Sequence, residues 1–254
     1  MPSPRKARLV PLAAAFAAQH PGRDDLAALL EAGALLVDGG PITNSDARVP
    51  RTAAIQIRPD APLRGSAKLE AALGAFAIAV DGRIALDAGA AAGGFTTTLL
   101  AAGAARVYAV DVGHGQLRGS LRQDPRVVVL ERTNLADLDT TVVPDPIDVV
   151  TLDFSYLSLA GAVPQLERVQ VAPGADLVAL VKPMFELALA EPPSDPAEIA
   201  RAVDLAAAAI NTGPWTVVAT IESPVTGAHG AVEHLIHARR VSDADAKNRQ
   251  KWRI

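Results

Sequence analysis

Two lysines stand deep inside a chain that otherwise avoids lysine. Of its 24 Lys and Arg residues only five are lysine, and three of those, Lys6, Lys247 and Lys251, lie near the ends. The other two are Lys68 and Lys182. A lysine ammonium can give up its proton where the surroundings disfavour charge, whereas an arginine guanidinium stays protonated. In this background the interior lysines are candidates for proton transfer. A second feature is "ALDAGAAAGGFTTTLL", Ala85–Leu100. An apolar run ends at Asp87, passes through Gly89, Gly93 and Gly94, and becomes an amphipathic helix from Phe95. In an open α/β sheet, such a turn at the carboxyl end of a strand is where ligands bind. Asp111 closes the next apolar run, 24 residues after Asp87, where a carboxylate can accept both hydroxyls of an adenosine ribose. The spacing is G-x-x-x-G-G, not the G-x-G-x-x-G that cradles a pyrophosphate, and acids around the loop repel phosphate. They suit a cation, such as the sulfonium of S-adenosylmethionine (SAM). A turn built only for tight strand–helix packing is the plainer reading, and Asp111 counts against it.

The elements that must position these residues follow from periodicity. Apolar strands fit "RIALDA", "RVYAVDV", "RVVVLE", "IDVVTLDFS" and "ADLVALVKP", with Ala- and Leu-rich helical stretches among them. "WTVVATIES" and "AVEHLIHARR" lie too close together for a crossover helix and pair as an antiparallel hairpin. Five parallel strands with a closing hairpin make a doubly wound α/β domain over 61–240. Residues 1–60 form a separate small α+β unit: a helix over "LVPLAAAFAAQH", a second helix, strand and glycine turn in "GRDDLAALLEAGALLVDGG", and one alternating strand in "RVPRTAAIQIRP". The stretch "RPDAPLRG" is a linker, and 241–254 is a polar, basic tail.

Composition excludes several classes. Cysteine is absent, which rules out disulfides and thiolate metal sites and fits the cytoplasm. No run reaches the roughly 18 apolar residues of a membrane span, and Pro11 interrupts what would resemble a signal peptide. A net charge of −4 argues against a surface that grips nucleic acid all over.

The stretch "LDAGAAAGGFTTTLLAAGAARVYAVDVGHGQLRGSLRQDPRVVVLERTN" resembles the TlyA family of FtsJ-like ribosomal RNA 2′-O-methyltransferases, some of them labelled haemolysins. The likeness continues through "RGSAKLEAAL", "DVVTLDFSYLSL", "LVALVKPMFE" and "SPVTGAHGAVEHLIHAR", so it covers about 64–240. It implies a class I SAM-dependent methyltransferase, Rossmann-like, with the hairpin at one edge. Residues 1–60 are similar to that family's RNA-binding domain, of the ribosomal-protein type, through Arg23, Leu26, Leu30, Gly33, Leu35, Val37 and Gly39. The resemblance implies a catalytic tetrad of Lys68, Asp153, Lys182 and Glu233. Lys182 would be the base for the ribose 2′-hydroxyl, with Asp153 and Glu233 holding the two ammonium groups. It also implies SAM contacts at Asp87, Gly89, Gly93, Gly94, Phe95, Asp111, Asn134 and Asp153, and ribosomal RNA or a ribosomal subunit as partner.

The chain departs from the family pattern in places. Ala91 and Ala92 stand where the family has a hydroxyl pair. After "KPMFE" comes "LALAEPPSDPAEIA", acidic and proline-broken, instead of a basic glycine-rich stretch. Val10 and Thr43 replace an acid and a lysine. Residues 1–60 carry seven basic and six acidic side chains, which leaves Arg5, Arg8, Arg23 and the tail residues Arg249, Lys251 and Arg253 to meet phosphate. A small-molecule methyltransferase of the same fold, or a catalytically idle RNA-binding relative, are the alternatives, and the intact tetrad argues against the last. His229, His234 and His237 lack companion ligands for a metal, and strand alternation turns His234 away from Glu233. His114, Phe95, Tyr156 and Phe185 read as packing or pocket wall.

Overall fold

The computed structural model describes residues 8–31, 34–42, 44–57 and 63–241. Arg5, Gly33, Thr43, most of the linker and the tail with Arg249, Lys251 and Arg253 lie outside the described residues, as does the side chain of His229. The chain divides into two compact units between Arg64 and Gly65.

The first unit contains β1 (Leu9–Pro11), α1 (Leu12–Gln19), α2 (Leu26–Glu31), β2 (Leu35–Val37), β3 (Gly40–Pro41), β4 (Arg48–Pro50) and β5 (Ile55–Ile57). β1 pairs with β4, while β2 lies between β3 and β5. Leu12, Phe16, Leu30, Leu35, Val49 and Ile55 form its core. Two expectations need correction here. The helix expected from Leu9 begins only at Leu12, because a residue before proline is pushed out of the helical region; Val10 is therefore extended and pairs with Val49. The single strand expected over 48–59 is two, in different sheets. Pro50 has no N–H to continue the ladder, and a turn at Arg51–Thr52 separates the strands.

The second unit runs α3 (Arg64–Ala75), β6 (Ile84–Ala88), α4 (Gly94–Ala101), β7 (Arg106–Asp111), α5 (Gly119–Arg122), β8 (Val127–Glu131) and β9 (Ile147–Leu152). It continues with α6 (Leu159–Ala162), β10 (Val171–Val181), α7 (Pro183–Glu186), α8 (Pro196–Ile210), β11 (Trp215–Glu222) and β12 (His234–Arg240). The sheet order is β11-β12-β10-β9-β6-β7-β8. The strands β6 to β10 are mutually parallel, and β12 is antiparallel to both of its neighbours. The hairpin thus closes one side of a doubly wound sheet, as the spacing predicts, with its reversed strand one place in from the edge.

Strand alternation sorts the sheet into two faces. Leu86, Val110, Leu152, Ala179 and Ile236 pack with Leu159 of α6 and Ile210 of α8. Ala85, Ala109, Val149, Leu180 and Leu235 pack with Leu69 of α3 and Leu99 of α4. This assignment fixes where each chemical residue must point. The acidic stretch after Glu186 is ordered: Asp195 accepts the Ala197 N–H at 2.9 Å and caps α8, with Pro196 in the first turn, an ordinary helix start.

Candidate active site

Asp87, Asp111, Asp153, Lys182 and Glu233 share one strand parity with Ala85, Ala109, Val149, Leu180 and Leu235. They therefore belong to the face covered by α3 and α4, at the carboxyl edge of the parallel strands. Asp153 and Lys182 follow the ends of β9 and β10. Glu233 precedes β12, whose first residue, His234, pairs with Val181; reversal of β12 is what brings its beginning to this edge. α3 supplies Lys68 from above.

The four tetrad residues form two ion pairs. Lys68 Nζ lies 2.6 Å from Glu233 Oε2 and Lys182 Nζ 2.6 Å from Asp153 Oδ1. The first pair is sealed, with side chains 9% and 4% exposed; the second is more open, at 15% and 16%. Each acid thus holds one ammonium. A Cβ on Gly227 would stand 2.2 Å from Glu233 Oε1, so glycine there makes room for the carboxylate. His234 shares its parity with Ile236 and Ala238 of the opposite core, away from Glu233.

The glycine loop is shaped first by the protein's own packing. Gly89, at φ 86°, passes so close to β9 that a Cβ would stand 2.2 Å from the Asp153 carbonyl oxygen. Gly93, at φ 93°, leaves space filled by Leu121, and Gly94 meets Gly65 of α3, where a Cβ would be 2.9 Å from its Cα. Ser66 Oγ donates to the Gly94 carbonyl at 3.0 Å. The loop therefore docks the helix that carries Lys68.

Asp87 is fully buried. Its oxygens accept from Thr96 Oγ1 at 2.6 Å and Thr151 Oγ1 at 2.9 Å, so its contacts run to α4 and β9. Burial pushes its pKa up to about 6, against the two threonine hydrogen bonds and helped by the Asp153 charge. Asp111 is half-buried and binds two turns together, accepting the Ala91 N–H at 2.8 Å and the Gly113 N–H at 2.7 Å. Ala91 itself sits at φ 44°. Phe95 is 3% exposed and belongs to the core. Asn134 is exposed and caps a short turn, accepting the Ala136 N–H at 3.3 Å.

A groove opens beside Asp111, lined by Gly89, Val112, Thr133, Phe154 and Tyr156. Val112 is 47% and Tyr156 50% exposed, large apolar surface where the rest of the face is packed. Each Asp111 oxygen uses one lone pair on a backbone N–H and keeps another for a donor. A carboxylate accepting a diol, beside apolar faces that take a flat base, fits the adenosine end of SAM. Among the described residues no three His, Asp or Glu side chains converge as a metal site.

Some residues of this edge escape a sequence reading. Glu186 is half-buried and accepts the Leu159 N–H at 2.9 Å, tying the segment after β9 to the segment after β10; burial raises its pKa. Thr96 and Thr151 are the partners of Asp87. Glu131, the last residue of β8, gathers the turn after Asp111. A strand ending in an acid was the available signal for Glu131, and "KPMFE" for Glu186.

Comparison with known proteins gives a consistent set of relatives. The FtsJ-like methyltransferase family matches residues 62–240. A Mycobacterium tuberculosis protein named 16S/23S rRNA (cytidine-2′-O)-methyltransferase TlyA is 42% identical over 87% of this chain and 85% of its own length. A Brachyspira hyodysenteriae protein named Hemolysin A is 35% identical over 82% of this chain and 90% of its own. Among solved structures, a Streptococcus thermophilus chain with a provisional hemolysin label covers 96% of this chain and 97% of its own at TM-score 0.69 and 27% identity. A SAM-dependent methyltransferase from Mesorhizobium loti shares the fold over 70% of this chain, at TM-score 0.51 and 18% identity. Among the described residues no helix is long and apolar enough to cross a membrane.

Proposed function

We propose, from the premise that this chain belongs to the FtsJ-like methyltransferase family, in its TlyA branch, that it methylates a ribose 2′-hydroxyl of ribosomal RNA in the cytoplasm. The observation that carries the reading is the pairing of Lys182 with Asp153 and of Lys68 with Glu233 at the edge that also bears the Asp111 groove. The chain is a SAM-dependent methyltransferase; the substrate rests on the M. tuberculosis relative and on the tetrad.

SAM, when bound, supplies a methyl group on a positively charged sulfur, open to attack by oxygen. Asp111 would hold the ribose end of the cofactor, with the apolar faces of Val112 and Tyr156 available to the base. Lys182 in its neutral form is the base: its Nζ takes the 2′-hydroxyl proton as the methyl group passes from sulfur to that oxygen and the sulfur leaves as a neutral thioether. Asp153, 2.6 Å away, stabilises the ammonium that results. The sealed Lys68–Glu233 pair provides fixed charges that orient the hydroxyl. Asp87 acts behind them, holding β6, α4 and β9 in register through its threonines.

The first unit is the proposed RNA-binding part. Of its arginines Arg8, Arg48 and Arg51 are described, and Arg23 is engaged by Asp25. With so even a charge balance, affinity for RNA rests on a few contacts and falls steeply with salt. That balance is also what favours a second reading, a small-molecule substrate for the same site. Incubation with SAM and ribosomal subunits, followed by nucleoside mass spectrometry, decides between them. A 2′-O-methylated nucleoside is expected. No methylated nucleoside, with a methylated product appearing in a cell metabolite extract, would move the enzyme to the second reading.

A further inference from the structure

Glu131 lies directly across the β7–β8 ladder from Asp111, and its side chain is 9% exposed. Its carboxylate gathers donors from one short stretch of chain. Oε2 accepts the Gly115 N–H at 2.9 Å and lies 3.2 Å from His114 Nδ1. Oε1 accepts the N–H groups of Gln116 at 3.2 Å and Leu117 at 3.3 Å, and the Arg122 guanidinium closes on the same oxygen. These backbone groups fall between the end of β7 and the start of α5, where no ladder or helix can take them. Burial works to raise the carboxyl's pKa, but Arg122 and the Gly115 and Leu117 N–H groups outweigh it and leave it at about 2. It is a carboxylate throughout the neutral range.

The stretch so gathered continues into the glycine loop. Leu117 and Leu121, 4% and 7% exposed, fill the space beside Gly93, where a Cβ would come within 2.8 and 2.1 Å of their methyl groups. Arg118 N–H reaches the Ala92 carbonyl at 3.4 Å. At its other end the stretch is anchored by the Gly113 N–H on Asp111. Chain from Gly113 to Leu121 therefore forms a buttress between Asp111 and Gly93, with its middle held by Glu131.

We infer that Glu131 is a positioning residue for cofactor binding: without touching the cofactor, it sets the turn that fixes Asp111 against the Ala91–Gly93 loop. The inference rests on the reading that this loop and Asp111 hold SAM. Glu131→Gln keeps the side chain's size and replaces one acceptor oxygen with an amide that faces N–H donors. Titration with S-adenosylhomocysteine in a calorimeter is expected to show at least a tenfold loss of affinity against wild type. KM for SAM should rise in step, with kcat at saturating SAM falling far less, because the tetrad lies on other strands. Equal affinity for S-adenosylhomocysteine would overturn the inference, as would a fall confined to kcat. Wild type that fails to bind S-adenosylhomocysteine would instead strike the cofactor reading itself. If circular dichroism shows Glu131→Gln unfolded, Arg122→Gln, which removes one donor from the carboxylate and one from the Leu117 carbonyl, is titrated against the same two outcomes.

Discussion

The two edges of the seven-stranded sheet each bury an aspartate, and the fold treats them in opposite ways. At the amino edge Asp176, 2% exposed, accepts from Arg83 at 2.7 Å, His237 at 2.8 Å and Arg239 at 3.2 Å. His237 is itself stacked on Phe76, with ring centroids 5.3 Å apart. Burial there works to raise the pKa, but His237 and the arginines overcome it and hold Asp176 far below the usual carboxylate range. At the carboxyl edge Asp87 is equally buried but is given only uncharged donors, the Thr96 and Thr151 hydroxyls and the Thr96 N–H, and burial pushes its pKa up to about 6. One edge spends its cations on holding β6, β10 and β12 together. The other keeps its cations, Lys68 and Lys182, for the proposed site and leaves its buried acid poorly compensated. Stability and chemistry are thus divided between the two ends of the same strands, and each substitution below breaks or sharpens that division.

The largest effect belongs to Lys182. Arginine preserves the charge beside Asp153 but cannot accept a proton at neutral pH. Lys182→Arg and Lys182→Ala should both lose turnover by about a hundredfold or more, the usual contribution of a general base. Calorimetry with S-adenosylhomocysteine should show little change. Near-normal turnover of Lys182→Arg would make the lysine an electrostatic guide and leave the carboxyl edge without its proposed base.

Asp176→Asn tests the other edge. It removes a buried charge and leaves His237, Arg83 and Arg239 without their shared anion, with an amide NH2 in place of one acceptor oxygen, a loss of about 3 kcal/mol by analogy with broken buried pairs. A carboxyl whose pKa is lowered on folding stabilises the fold above its unfolded pKa, and this contribution fades on acidification. The gap between wild type and Asp176→Asn in urea unfolding should therefore be full at neutral pH and narrow below about pH 4. Turnover per folded molecule should stay near wild type. Lost turnover with unchanged stability would erase the division of labour.

How much of this could be read from the chain differs between the edges too. Strands from Arg83 onward are legible because apolar runs end in acids or turns, and the glycine spacing points to the edge proposed here for the ligand. The helix start at Pro11 and the break at Pro50 were misjudged where proline outweighs periodicity. The site is harder. Lys68 and Glu233 are 165 residues apart, and no local pattern pairs them; resemblance placed them in one tetrad, and only the fold shows which acid holds which lysine. Asp87 and Asp176 look alike in sequence, each an acid within an apolar strand. What separates them is the set of donors that the fold brings from far along the chain: Thr151, 64 residues from Asp87, and Arg83, 93 from Asp176. Glu131 and Glu186 were missed because their partners, backbone N–H groups of other segments and, for Glu131, the Arg122 guanidinium, leave no mark in a local pattern.

Asp111→Ala should weaken S-adenosylhomocysteine binding by about tenfold, since it removes the proposed diol acceptor together with the bonds to Ala91 and Gly113. Equal affinity in wild type and variant would take Asp111 out of the site and leave the glycine loop as packing alone.

The smallest effect is the most diagnostic of the comparison, because its sign is unusual. Asp87 has its pKa raised on folding, to about 6, so its contribution to stability is most favourable below the unfolded value and declines as pH rises through the folded one. At neutral pH the ionised carboxylate works against the fold. Asn at 87 keeps the shape, carries no charge, and can still accept from one threonine while donating to the other once that hydroxyl turns. Relative to wild type, Asp87→Asn should therefore gain stability as pH rises, by about 1 kcal/mol between about pH 5 and pH 7.5. Asp176→Asn has no such gain. Urea unfolding at the two pH values measures the difference directly. A gap between Asp87→Asn and wild type that does not move with pH would mean that Asp87 keeps an ordinary pKa. The carboxyl edge would then hold its buried acid as comfortably as the amino edge does, and the contrast between them would fail.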